Sequence, residues 1–341
     1  MPSFLGVKGG PKVLNIETPR QLARLLETSV ERLYAILRRA TSYYEELVLC
    51  DPAKRKPRIV VSPRGRMRTM QMRLYRRVLA PRLDRSPYSH GGVPGRSVLT
   101  NVREHIGQSF LFTADVADFY PSVHWTRVLQ LFTGLNCSEE VARICTRICT
   151  YKNCLSQGLL TSPILADLLM RPADNRIAAA CENLEATYTR YVDDLAISAP
   201  FNLKASGLPA LVCRILRQHG FAPHAGKLFF GPINAAASIT NIRIHRGHPD
   251  VRKQYIGEVI RQLEDVARLG NGEPFKGPYF TRNQLWGRVK FVIWVNPHRT
   301  RTLVPLFARV YWRKAAEEAG RLGLVASRKT LSKAAGGAAH E

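Results

Sequence analysis

Residues 190–198 read Arg-Tyr-Val-Asp-Asp-Leu-Ala-Ile-Ser, and the fold is decided there. Tyr188 to Ser198 reads as two short strands joined at Val192-Asp193-Asp194-Leu195, a β-hairpin with adjacent carboxylates at its tip. Like charges that close repel and raise each other's pKa. A divalent cation removes that cost, and oxygen ligands of this kind favour Mg²⁺ over softer metals. An Asp-Asp pair alone is also ordinary turn chemistry, so its company decides. Upstream, Phe110 to Ala114 is an apolar, strand-forming run that ends on Asp115, inside FTADVADFY (112–120). Enzymes that join nucleotides hold two metals roughly 3.5–4 Å apart on carboxylates carried by rigid strands. Asp115, Asp193 and Asp194 suit that chemistry, whereas Asp118 reads as structural or supporting.

The 341-residue chain carries 51 Lys and Arg against 26 Asp and Glu, a net +25. Such an excess predicts a polyanionic partner, nucleic acid before acidic membrane. Its distribution says more. Residues 51–105 hold 14 basic and 3 acidic residues, and residues 274–341 hold 13 and 3, while 106–273 hold 17 and 15. Two basic walls therefore flank a balanced middle that contains the acidic motifs. No apolar run reaches the roughly 20 residues of a membrane span, and the first residues lack a signal-peptide core. A cytoplasmic, soluble protein is expected. Four of the seven cysteines fall in 137–154 without paired zinc spacing, and Cys145 and Cys149 are four apart, as on a buried helix face.

Helical periodicity predicts a helix over 19–39, with Pro19 in its first turn, and another over 67–83 with arginines on one side. Ile59-Val60-Val61 reads as a short strand, 62–65 as a turn and HGGVPGRS (90–97) as a loop before a helical 98–106. Helices follow at 123–133, 138–150, 159–181 and 208–219. Short β-prone pieces at 227–230 and 238–244 precede helices near 252–269, 281–296 and 301–320. No internal repeat and no phosphate-loop pattern is present.

With these motifs in place, RYVDDLAIS resembles the Y-x-D-D motif of reverse transcriptases. FTADVADFYPSV resembles their first catalytic motif, with Asp115 to Tyr120 keeping the D-x₄-[FY] spacing. SQGLLTSPILADLLM (156–170) is similar to Q-G-x-x-x-S-P, and Gly220-Phe221 followed by Lys227 resembles the next motif. The resemblance covers roughly 55–245. It implies an α+β right-hand polymerase with fingers, a palm of antiparallel sheet plus helices, and a helical thumb. It implies two Mg²⁺ ions held by Asp115, Asp193 and Asp194, with Val116 beside them. Phe119 and Tyr120 would meet the nucleotide, Tyr120 as a bulky gate against a ribose 2′-OH. Gln157 and Gly158 would floor the nucleotide site. Lys227 would donate a proton or stabilise charge on pyrophosphate. Lys56 and Arg58 would grip the triphosphate, where negative charge builds; a solvated basic strand edge is their other reading.

Within that family the chain resembles bacterial retron reverse transcriptases, which consist of fingers, palm and thumb. Asn101-Val-Arg-Glu-His105 is similar to their N-A-x-x-H element, with Val102 in place of alanine, and HGGVPGRSVLTN to the pattern ahead of it. His105 could equally be a satisfied polar residue at a helix–strand junction. Ile239-Thr240-Asn241 stands where the family has V-T-G, and Asn can adopt the left-handed turn that glycine supplies. The resemblance implies a division into an N-terminal helical extension (1–50), fingers with the N-x-x-x-H element (51–109), palm with part of the fingers (110–237) and an RNA-binding thumb (238–333), while AAGGAAHE (334–341) reads by itself as a disordered tail. It implies RNA contacts by Asn101, His105, Thr240, Arg299, Arg301, Arg309 and Arg313, with Trp286, Trp294 and Trp312 either stacking on bases or packing in the core. The implied partners are a cognate structured non-coding RNA, its single-stranded DNA product, dNTPs and a separate effector protein in anti-phage defence. Two other readings stay open: a defence-associated reverse transcriptase making DNA untemplated or protein-primed, and a non-catalytic RNA-binding scaffold.

Overall fold

A computed structural model describes residues 13–50, 57–234, 237–275, 277–324 and 330–333. The expected helix over 19–39 is two helices, α1 (Pro19–Leu25) and α2 (Val30–Arg38). Thr18 and Gln21 form a capping box on the first, and Ser29 caps the second. Between them Glu27 takes φ +48, which no continuous helix allows. β1 (Tyr44–Cys50) follows and pairs antiparallel with β2 (Arg58–Pro63), so the strand before residue 50 shares a sheet with the basic segment after it. α3 (Gly65–Arg73) widens into a π-helical stretch, Leu74–Leu79, before a last turn, α4 (Ala80–Arg82). Pro81, lacking an N–H and carrying a ring, cannot keep regular α spacing there.

α5 (Val98–Arg103) leads into β3 (Phe110–Asp115), and α6 (Trp125–Gly134), α7 (Glu139–Cys149) and α8 (Ser162–Glu182) come next. Then come β4 (Thr187–Tyr191), β5 (Asp194–Ala199), α9 (Leu208–Gln218) and β6 (Phe229–Pro232). The central sheet has the order β4-β5-β3-β6, all pairs antiparallel. One face is covered by α6, α7, α8 and α9, whose apolar stripes join α1 and α2 in a core running from Leu14 to Phe221. Cys145 and Cys149 lie fully inside that core on one face of α7.

The C-terminal part has its own core. A hairpin, β7 (Ile242–His245) and β8 (His248–Val251), packs with α10 (Lys253–Gly270) and α11 (Arg282–Val295). The helix expected over 301–320 divides into α12 (Thr300–Ala308) and α13 (Trp312–Arg321). The turn between them lets Ala315 and Ala319 pack in the same core as α10. A final strand, β9 (Thr330–Lys333), pairs with β1. The expected tail 334–341 lies outside the described residues. Helices and antiparallel sheet thus make an α+β fold.

Candidate active site

The central sheet brings the three aspartates together. Asp115, the last residue of β3, is the register partner of Asp194, the first of β5. Asp193 lies in the turn beside them, its carbonyl accepting from the Val116 N–H at 3.0 Å. Burial, with Asp193 and Asp115 adding to it, pushes the Asp194 carboxyl up to about 7. Burial and then Asp115 raise Asp193 as well. Crowded oxygen donors of this kind suit a hard dication that cancels their repulsion. Lys227 already offers one cation, its Nζ 2.8 Å from Asp115 Oδ1. Among the described residues, no three carboxylate, imidazole or thiol side chains converge closely enough to hold a metal ion by themselves, the three aspartates included. Mg²⁺ seldom needs such a cluster, because one or two carboxylates and the substrate's phosphates complete its shell.

The expected nucleotide residues are placed unevenly. Tyr120 is half-buried near Asp193, and burial ahead of that carboxylate pushes its hydroxyl up to about 12, so it stays neutral. Phe119, also expected to meet the nucleotide, has its ring buried between Tyr120 and Phe221, at ring distances of 5.3 and 5.7 Å, where it supports Tyr120. Val116 is buried as well, so only its backbone could serve a metal. Gln157 and Gly158 dock on β2, where the Val61 N–H donates to the Gln157 carbonyl at 2.8 Å. Gly158 has φ +102, and a Cβ there would lie 2.5 Å from the Val61 carbonyl oxygen, so only glycine fits. Arg58 is exposed on β2, close enough to bear on the Asp193 charge. Lys56 lies outside the described residues.

The expected RNA contacts need more revision. Asn101 and His105 are both fully buried. The His105 ring nitrogens lie 2.7 Å from Ser198 Oγ and 2.7 Å from Thr189 Oγ1, tying the end of α5 to β5 and β4. Neither side chain offers RNA a face; the satisfied-polar reading of His105 fits its place. Arg299 gives its Nη2 to Asp250 at 2.8 Å, next to Arg243 on the same carboxylate, and so braces the β7–β8 hairpin. Arg301, Arg309 and Arg313 are exposed, Arg313 within reach of Glu317 on its own helix. Thr240 (φ +48) and Asn241 (φ +66) do form a left-handed turn where the family has glycine. Trp286 and Trp312 sandwich Phe307, at 4.8 and 4.7 Å, whereas Trp294 is exposed.

Beneath the hairpin lies a charge network that sequence reasoning missed. Arg190, 1% exposed, donates from Nε and Nη2 to Asp174 at 2.8 and 2.6 Å, and from Nη2 to Asp167 at 2.8 Å. Arg85 pairs with Asp167 from the other side at 3.1 Å. Burial opposes the guanidinium charge, but Asp174 and Asp167 outweigh it and keep Arg190 firmly protonated. Two aspartates seven apart in the apolar run of α8, with an arginine in the first strand of the hairpin, were the available signal.

Comparison with known proteins agrees with this geometry. The family described as reverse transcriptase (RNA-dependent DNA polymerase) matches residues 54–234. The chain is 26% identical to the retron Ec86 reverse transcriptase of Escherichia coli over 304 residues, 89% of this chain and 91% of that one. It is 25% identical to the retron Mx162 reverse transcriptase of Myxococcus xanthus over 325 residues, 85% and 66% of the two chains. Against the retron Mx65 reverse transcriptase of the same organism, identity is 28% over 207 residues, 55% of this chain and about half (48%) of that one.

Proposed function

Because this chain belongs to the reverse transcriptase family, the RNA-dependent DNA polymerases, we propose that it copies part of its own structured non-coding RNA into multicopy single-stranded DNA, starting from an RNA 2′-OH. The observation that carries the catalytic half is the register of Asp115 opposite Asp194, with Asp193 in the adjoining turn. Fingers, palm and thumb then correspond to the β1–β2 sheet with its basic helix, the central sheet with its helices, and the second core. The chemistry supplied by a bound Mg²⁺ pair is activation of the attacking hydroxyl and stabilisation of the leaving pyrophosphate. Asp115, Asp193 and Asp194 would hold that pair, with the Val116 backbone beside them. Tyr120 presents a neutral, bulky ring where a 2′-OH would sit. Lys227, 2.8 Å from Asp115, would neutralise or protonate the pyrophosphate, and exposed Arg58 would meet the triphosphate. Exposed Arg301, Arg309 and Arg313 dock an RNA stem through its phosphates. A separate effector in anti-phage defence belongs to the same reading. Among the described residues no helix is long and apolar enough to cross a membrane.

Sequencing and debranching the nucleic acid that copurifies with the protein tests the proposal. A branched RNA–DNA species with a 2′–5′ linkage is expected. DNA without an RNA branch would favour untemplated or protein-primed synthesis. Unchanged DNA synthesis by Asp193→Asn or Asp194→Asn would overturn the catalytic assignment.

A further inference from the structure

The hairpin that carries Asp193 and Asp194 is held in an unfavourable backbone conformation from two sides. Its two central residues are Val192 and Asp193, and Val192 has φ +60. Positive φ at the first central position is the place for glycine in two-residue hairpins, and a β-branched residue there is strained. Strain of that kind persists only where its surroundings over-determine it. From beneath, Arg190 Nη1 donates to the Val192 carbonyl at 2.9 Å, while the rest of the guanidinium is fixed by Asp174 and Asp167. From the side, the backbone of 88–91 runs along β4: the Arg190 N–H donates to the Tyr88 carbonyl and the His90 N–H to the Arg190 carbonyl, at 2.8 and 2.7 Å. This brings Gly91 against the turn, so that a Cβ there would lie 2.6 Å from the Val192 nitrogen and 2.4 Å from its Cγ2. Arg96 ties the same segment down by donating to the Ser89 carbonyl at 2.7 Å.

We propose that Arg190 and Gly91 are positioning residues that clamp Val192 in its left-handed conformation and thereby set where the Asp193 and Asp194 carboxylates stand relative to Asp115. The clamp touches neither substrate nor metal. It acts through one peptide: the Val192 carbonyl anchors the residue just before the first metal-facing carboxylate. The inference rests on the metal-holding role proposed for the three aspartates.

The test is Mn²⁺ binding by the full chain, freed of nucleic acid at high salt and followed by electron paramagnetic resonance, with urea unfolding measured in parallel. Arg190→Lys keeps a buried cation but cannot serve Val192 and both aspartates together. Gly91→Ala leaves the ion network whole and presses on the turn, so it carries the test should Arg190→Lys not fold. Each is expected to weaken Mn²⁺ binding about tenfold, the scale of one released backbone strain. Val192→Gly is at ease at φ +60 without help. Added to Arg190→Lys, it is expected to restore Mn²⁺ affinity to within about threefold of the parent, on the same strain scale, which general loosening of the fold would not do. Wild-type affinity in folded Arg190→Lys and Gly91→Ala, or no recovery in the double variant, would overturn the clamp. Asp193→Asn is the control. If it too binds Mn²⁺ normally, the metal assignment fails rather than the clamp.

Discussion

Replacing His105 with Gln should flatten the dependence of stability on pH in the mildly acidic range. Burial, with a smaller push from His90, holds the imidazole at about 3, against an ordinary 6.5. Both ring nitrogens are satisfied by hydroxyls at 2.7 Å, and no carboxylate is among the charges that act on it. The neutral ring therefore belongs to the folded state, and the unfolded chain takes up the proton first. The stability this contributes is complete above pH 6.5 and drains away as pH falls toward about 3, where both states are protonated. One proton is worth about 1.4 kcal/mol per pH unit, so descending from pH 6.5 to 5 removes about 2 kcal/mol through His105 alone. Urea unfolding followed by circular dichroism at pH 7, 6 and 5 measures this directly. At pH 7 the Gln variant should be weaker by about 1–3 kcal/mol, from a lost hydrogen bond and imperfect packing. Its loss between pH 6.5 and 5 should be smaller than the parent's by about 2 kcal/mol. His90, which burial lowers to about 4, titrates in both proteins and cancels in the comparison. Parallel stability–pH curves for the two proteins would refute the reasoning.

Gly158→Ala, with its Cβ driven into the Val61 carbonyl at 2.5 Å, should push β2 off the Gln157-Gly158 loop. We expect about 1–3 kcal/mol lost in urea unfolding and a several-fold higher KM for dNTPs in primer extension. Asp174→Asn leaves Arg190 with half its counter-charge in the core, so unfolding should lose about 3–5 kcal/mol. Arg301→Ala and Arg309→Ala should each lower the salt slope of RNA binding by about 0.7–0.9, one phosphate contact, with unfolding unchanged. Arg299→Ala should do the reverse, destabilising the fold through Asp250 and leaving the slope alone, as binding titrations at four salt concentrations would report.

What was legible in the sequence followed a rule about legible residues: their meaning is local. Phe110 to Asp115 and Tyr188 to Ser198 alternate or run apolar over a few residues and end on charges, and both are strands with the carboxylates at their tips. The left-handed turn at Asn241 was readable for the same reason, since asparagine tolerates that conformation, although the positive φ of Thr240 beside it was not. Where the reading missed, partners were far apart in the chain. Arg190 meets Asp167 and Asp174 across 23 and 16 residues, and nothing within β4 says that its guanidinium points inward. The D-x₄-[FY] spacing marks Tyr120 alone, and nothing local says that its neighbour Phe119 is turned into the core. Helix 19–39 had the right period throughout, yet Ser29 offered a cap in its middle, and a good cap competes with continuing the helix.

The arginines show why net charge located a partner without locating its contacts. The excess of +25 suggests a surface ready for phosphate at many points. Several of those cations are nevertheless committed inside the protein. Arg190 and Arg243 are buried on aspartates, Arg73 donates to the carbonyls of Leu26 and Glu27, and Arg127 caps the carbonyl end of α9 at His219 while stacking on Phe221 at 4.5 Å. A guanidinium can serve carbonyls and carboxylates in a fixed fork without changing its charge, which lysine cannot do as well. The same side chain that makes this protein basic therefore does two separable jobs. Arginines on aspartates or backbone carbonyls hold strands, turns and helix ends in register, and only those left exposed, such as Arg301 and Arg309, remain to read a polyanion.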